Sequence, residues 1–172
     1  GMRMENDSKI RDSIRRVIDV FEKRPETGRS SIAATAVISD GLRVDFTQGE
    51  HSAVMDLPET MGGEGIGPTP GFFGRAGIAG CVAMGIKQAA ILSELVFDNI
   101  TVDIENDFDD GAVYGMGTCS AAPLETRLAI RIQTAVPEAE VVALVEHVLQ
   151  RDPWFLALRD AQVVKPQVIV QR

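Results

Sequence analysis

The sequence predicts an α+β fold built as one domain. Three observations carry that expectation. Helical and strand-like runs follow in the order α-βββ-α-ββ-α-(α)-β, which segregates helices from strands. Tight-turn signals join the strand-like runs and predict antiparallel pairing. The 172 residues are 45% apolar and 24% charged, an ordinary globular composition for a chain able to bury a core.

Residues 8–23 form an amphipathic helix, because Ile10, Ile14, Val17, Ile18 and Phe21 fall on one helical face. Asp7 or Ser8 caps it, and Pro25 lies just past its end. Residues 1–28 are expected to be a helical extension, with residues 29–172 as the domain proper. Ser31–Ser39, Leu42–Thr47 and His51–Asp56 form a three-strand meander, with turns at Asp40-Gly41 and Gln48-Gly49. Leu57–Pro70, reading LPETMGGEGIGPTP, is too rich in Gly and Pro for regular structure.

Gly71–Leu95 is a long helix, apolar nearly all round and therefore expected to be buried. It contains Gly71, Gly74, Gly77, Gly80 and Gly85. Each costs about 1 kcal/mol against Ala in a helix interior. The close approach of another backbone would offset that cost. Phe97–Phe108 and Leu124–Thr134 alternate as paired strands. Pro137 opens a helix with Glu138 and Glu140 in its first turn. Asp152-Pro153 caps a short helix to about Arg159, with Trp154 and Phe155 packing it onto the core. Val163–Val170 closes as an edge strand interrupted by Pro166.

Composition excludes several function classes. A net charge of -8 without any Lys/Arg run argues against nucleic acid and other phosphate-rich partners. No run approaches the ~20 apolar residues of a membrane span. The first ten residues are charged and hold no apolar core, so no signal peptide is expected and the cytoplasm is the expected compartment. Cys81 and Cys119 are then expected as free thiols. No CxxC, HxxxH or HExxH occurs, and neither a metal nor a cofactor is expected. His51 and His147 have no partner in the sequence pattern.

The informative segment is GGEGIGPTPGFFGRAGIAGCVAMGIKQAA, residues 62–90. Gly62-Gly63, then Gly67-Pro68-Thr69-Pro70, then Ala79-Gly80-Cys81 in a long helix resemble the OsmC/Ohr family of thiol-dependent hydroperoxide reductases. The resemblance implies an OsmC-like fold from about Ser31 to Val170. That fold is an intertwined homodimer whose central helices are wrapped by antiparallel sheets from both subunits. The helix at residues 8–23 lies outside it. Gly74, Gly77 and Gly85, all on the Cys81 face, would admit a neighbouring backbone.

The resemblance also implies a chemistry. Cys81 would be the peroxidatic thiol, attacking a small organic hydroperoxide as thiolate and becoming a sulfenic acid. A free thiol titrates near ~8.5, so an Arg must favour the thiolate and a Glu must orient that Arg. At the family's Glu position, ten residues before the cysteine, this chain has Gly71. Glu64 is the substitute if the loop folds back. Arg43 is the candidate cation, reaching across the sheet. Arg75, six residues before Cys81, lies on a different helix face. The family's resolving Cys-Pro pair reads Asp152-Pro153 here, leaving Cys119 or an external thiol to resolve a sulfenate. The implied function is hydroperoxide reduction with Cys81, Arg43 and Glu64 as site residues. The alternative is a catalytically inactive dimer of the same fold that binds a small apolar ligand beside an inert Cys81.

Overall fold

The computed structural model describes residues 1–172. It comprises two compact units, residues 1–77 with 91–94, and residues 78–90 with 95–172. The first unit opens with α1 (Met2–Lys23). This helix starts at Met2 and not at Ser8, because nothing in residues 2–7 breaks it. It buries none of its residues. Arg11 Nε donates to the Ile91 carbonyl at 2.9 Å. Ile10, Val17, Ile18 and Phe21 stay exposed.

The meander follows as β1 (Thr35–Ile38), β2 (Val44–Gln48) and β3 (His51–Met55). Its strands pair antiparallel in chain order, with Val37 opposite Asp45 and Phe46 opposite Ala53. Gly41 and Gly49 turn it with φ of 66° and 59°, a region most L residues avoid.

The Gly-rich loop between β3 and α2 (Pro70–Leu92) is organised around Asp56, which is 2% exposed. Its carboxylate accepts the backbone N–H groups of Leu57 (2.8 Å), Glu64 (3.2 Å) and Ile66 (3.2 Å). An irregular loop has no ladder to satisfy its N–H groups, and a buried carboxylate does so instead. At Gly63 a Cβ would lie 1.9 Å from the Leu57 carbonyl oxygen, so only glycine fits.

The second unit holds Val82, Ile86 and Ala90, one face of α2, in a core with Phe97 and Val148. β4 (Phe97–Asp107) and β5 (Glu125–Thr134) pair antiparallel, Val102 opposite Ile130 and Ile104 opposite Leu128. Ile100, Val102, Ile130 and Ile132 pack onto that core. Phe97 and Ile100 differ in parity and would face opposite sides of a regular strand. A register shift between Phe97 and Asn99 brings both inward. On the opposite face Arg127 binds Glu105, Asp107 and Glu125. The helices α3 (Glu138–Leu149) and α4 (Pro153–Arg159) complete the unit.

Three expectations change. Within one chain α2 is not buried all round: Val82, Ile86, Ala90 and Ile91 are its fully covered side chains, while Phe72 and Met84 are exposed. α2 is also long and apolar enough to cross a membrane by length and composition, which no uninterrupted apolar run had signalled. Val163–Val170 is not a strand. It has no hydrogen-bonded neighbour in the chain, and Val163, Val168 and Ile169 lie exposed. Trp154 is likewise exposed, and Phe155 alone of that pair packs onto the core.

Candidate functional site around Cys81

Cys81 sits in the middle of α2, one residue before the buried Val82. Its position in the helix leaves the sulfur half-buried, far from the helix N-terminus and its dipole. What faces it comes from the start of α4. Asp152 is 3% exposed, and its Oδ1 accepts the Phe155 N–H at 2.9 Å as the cap of that helix. The same carboxylate and the Trp154 backbone N–H are the polar groups that act on the Cys81 thiol.

Gly85, one turn after Cys81, makes this approach possible. A Cβ there would lie 3.1 Å from Val148 Cγ1 and 3.5 Å from Asp152 Oδ2. The approach comes from side chains of the α3–α4 corner, where the sequence led us to expect a neighbouring backbone. At Gly74, Gly77 and Gly80 a Cβ would meet nothing within 4 Å in the chain.

The electrostatics follow from the geometry. Burial pushes the Cys81 thiol up from its ordinary value, and the hydrogen bond and negative charge of Asp152 push it further. The Trp154 N–H works in the opposite direction without reversing the sum. A thiolate beside a buried carboxylate is a like-charge pair, so the neutral S–H is favoured. In that state Cys81 is a weak nucleophile.

The other sequence candidates lie in the first unit. Arg43 binds Asp45 through Nη2 at 3.0 Å and Nε at 3.3 Å. Glu64 is exposed, and its backbone N–H serves Asp56. Arg43 and Glu64 therefore converge on Asp56. Burial alone would raise that carboxyl's pKa. The N–H groups of Leu57, Ile66 and Glu64, together with the Arg43 charge, outweigh burial and hold it below the usual range.

Gly71 is filled from its own helix, because a Cβ there would lie 2.8 Å from Arg75 Nη2. Cys119 is exposed beyond the short 3-10 turn Asp110–Tyr114. His51 and His147 are both exposed, and His147 Nδ1 lies 3.0 Å from Arg151. No three His, Cys, Asp or Glu side chains converge to hold a metal.

Asp56 escaped the sequence reading, and Asp152 did so in one of its roles. Asp56 left one signal, an Asp directly before a loop whose many N–H groups need an acceptor. Asp152 was legible as a helix cap and as the occupant of the resolving-cysteine position, but its effect on the Cys81 thiol, 71 positions earlier, left no local trace.

Comparison with known proteins agrees with this architecture. The family model for OsmC-like proteins matches residues 62–166. The chain superposes on an OsmC-like protein from Mycoplasma pneumoniae with TM-score 0.64 at 16% identity, covering 76% of this chain and 88% of that one. An organic hydroperoxide resistance protein from Legionella pneumophila matches with TM-score 0.55 at 22% identity, over 76% and 90% of the two chains. Another, from Elizabethkingia anophelis, gives 0.58 at 20% identity over 76% and 89%. At these identities the likeness is one of fold. No curated protein matches the sequence. The family match spans the Gly-rich loop, the Cys81 helix and the Asp152 corner, more than half of the chain, and the chain belongs to the OsmC-like protein family.

Proposed function

We propose that this chain is a homodimeric OsmC-family protein in which Cys81 is kept as a thiol. In this reading it works by binding a small apolar ligand and does not reduce hydroperoxides. One observation carries the reading: Cys81 is half-buried beside the buried Asp152 carboxylate, and burial and that negative charge both favour the neutral thiol. A peroxidatic cysteine needs a cation that favours its thiolate, and this one has an anion.

The dimer is supported by apolar surface that one chain leaves open. Phe72 and Met84 on α2, and Val163, Val168 and Ile169 at the C-terminal end, are more than half exposed. A second copy packed on α2 and the C-terminal segment would cover these side chains.

The test is turnover of cumene hydroperoxide with dithiothreitol or dihydrolipoamide as reductant. Peroxide loss is expected to equal that of Cys81→Ser. Turnover clearly above that control overturns the reading. Ligand binding is read separately, by whether an apolar fluorophore that binds the dimer protects Cys81 from iodoacetamide.

A second reading is favoured by the fold likeness to the two organic hydroperoxide resistance proteins. Here Cys81 is the peroxidatic thiol, with Arg43 and Glu64 supplied across the dimer. The thiolate attacks the terminal peroxide oxygen, the O–O bond breaks, and the alkoxide leaves as alcohol after taking a proton. The resulting sulfenic acid condenses with an external thiol, or with Cys119, to a disulfide and water. The turnover assay separates the two readings directly.

A further inference from the structure

α1 precedes the segment matched by the family and carries a surface that its own chain does not cover. Arg16 and Val20 stand at i and i+4 along it, and Arg24 caps its C-terminal end, its N–H bonded to the Val20 carbonyl at 2.8 Å. All three are exposed, Val20 by 39%.

The second unit presents the complementary row on α3. Glu138, Val142 and Glu146 also stand at i, i+4 and i+8, with Val142 47% exposed. They border a cavity of about 400 Å3 whose apolar wall includes Ile132, Val141 and Val145. At 1.5 Å rise per residue Glu138 and Glu146 are about 12 Å apart along α3, close to the spacing of Arg16 from the C-cap Arg24. One row is cation–valine–cation and the other anion–valine–anion.

We infer that α1 of one protomer docks in the groove beside α3 of a second copy, with Val20 against Val142 and the two arginines on the two glutamates. The inference rests on the homodimer proposed above. Antiparallel packing sets Arg16 opposite Glu146 and Arg24 opposite Glu138, and it lets the helix dipoles oppose. Neighbouring Val17 and Phe21 then reach the apolar wall. Two-fold symmetry makes the contact twice per dimer. A second copy fits better than a lipid surface, because a chain of net charge -8 gains nothing from anionic headgroups.

The test is cysteine cross-linking of the full chain. Val20→Cys and Val142→Cys are combined in a background with Cys81→Ser and Cys119→Ser, then oxidised with copper phenanthroline. A covalent dimer on non-reducing gels is expected from the double variant and not from either single one. Reversing Glu138 and Glu146 to Arg is expected to slow cross-linking about tenfold, and adding Arg16→Glu with Arg24→Glu to restore it.

A dimer by light scattering without this cross-link overturns the inference and leaves the dimer standing. A disulfide within one chain, or cross-linking by Val20→Cys alone, also overturns it. A monomer overturns both.

Discussion

Asp152 joins two roles in one carboxylate, the cap of α4 and the negative charge that disfavours the Cys81 thiolate. The roles separate by mutation. Asp152→Asn keeps a capping oxygen but removes the charge. Alkylation of Cys81 by iodoacetamide is then expected to titrate at lower pH than in the parent protein, and to run several-fold faster at neutral pH. An unchanged profile would mean that burial alone holds the thiol neutral. Asp152→Ala additionally loses the cap, with an expected cost of about 1 kcal/mol in urea unfolding. Both variants lack the carboxylate charge, so differences between them belong to the capping oxygen.

The elements that position the site carry their own predictions. α2 ends in a tight turn in which Leu95 N–H bonds to the Ala90 carbonyl at 2.9 Å and Glu94 N–H to that of Ile91 at 3.1 Å. Glu94 supplies the left-handed residue at φ 57°, where glycine is the usual occupant. Glu94→Gly is expected to stabilise the protein by about 0.5–1 kcal/mol in urea unfolding.

The loop before α2 depends on Asp56, whose folded carboxyl titrates below its ordinary range. On acidification the unfolded chain takes up this proton first. The contribution is therefore complete above the ordinary value of about 4 and is lost as pH falls through the folded one. Asp56→Asn is expected to be less stable at neutral pH and to show a flatter acid limb, measured as urea midpoints from pH 7 down to pH 3. Two parallel pH curves would exclude the carboxylate as the loop's anchor.

At the scale of the whole molecule, what one chain leaves uncovered decides what it needs. The core of the second unit is compact, and Ile86→Ala, at a fully buried position, is expected to cost about 2–5 kcal/mol. Light scattering is expected to return twice the 18.6 kDa of one chain. A single-chain mass would leave the exposed faces of α2 and the C-terminal segment without an occupant.

The local grammar of the chain was enough to determine much of this protein. Period-two alternation marked β4 and β5 almost to the residue, and Asp-Gly and Gln-Gly placed the meander turns. Asp152-Pro153 announced the start of α4. The Gly-Pro loop ahead of Cys81 was sufficient to indicate the family. These features were legible because each depends on neighbours within a few residues.

Tertiary structure alone decided the rest. The parity switch that brings Phe97 and Ile100 to one side depends on a bulge against a distant strand. The strand expected at Val163–Val170 fails because a strand needs a partner, which alternation cannot supply. The Cys81 thiol is pushed up first by burial and then by a carboxylate from the α3–α4 corner, which Gly85 lets come close to α2. Charge and hydrogen bonding act through space, and the spacing of residues along the chain does not record that distance.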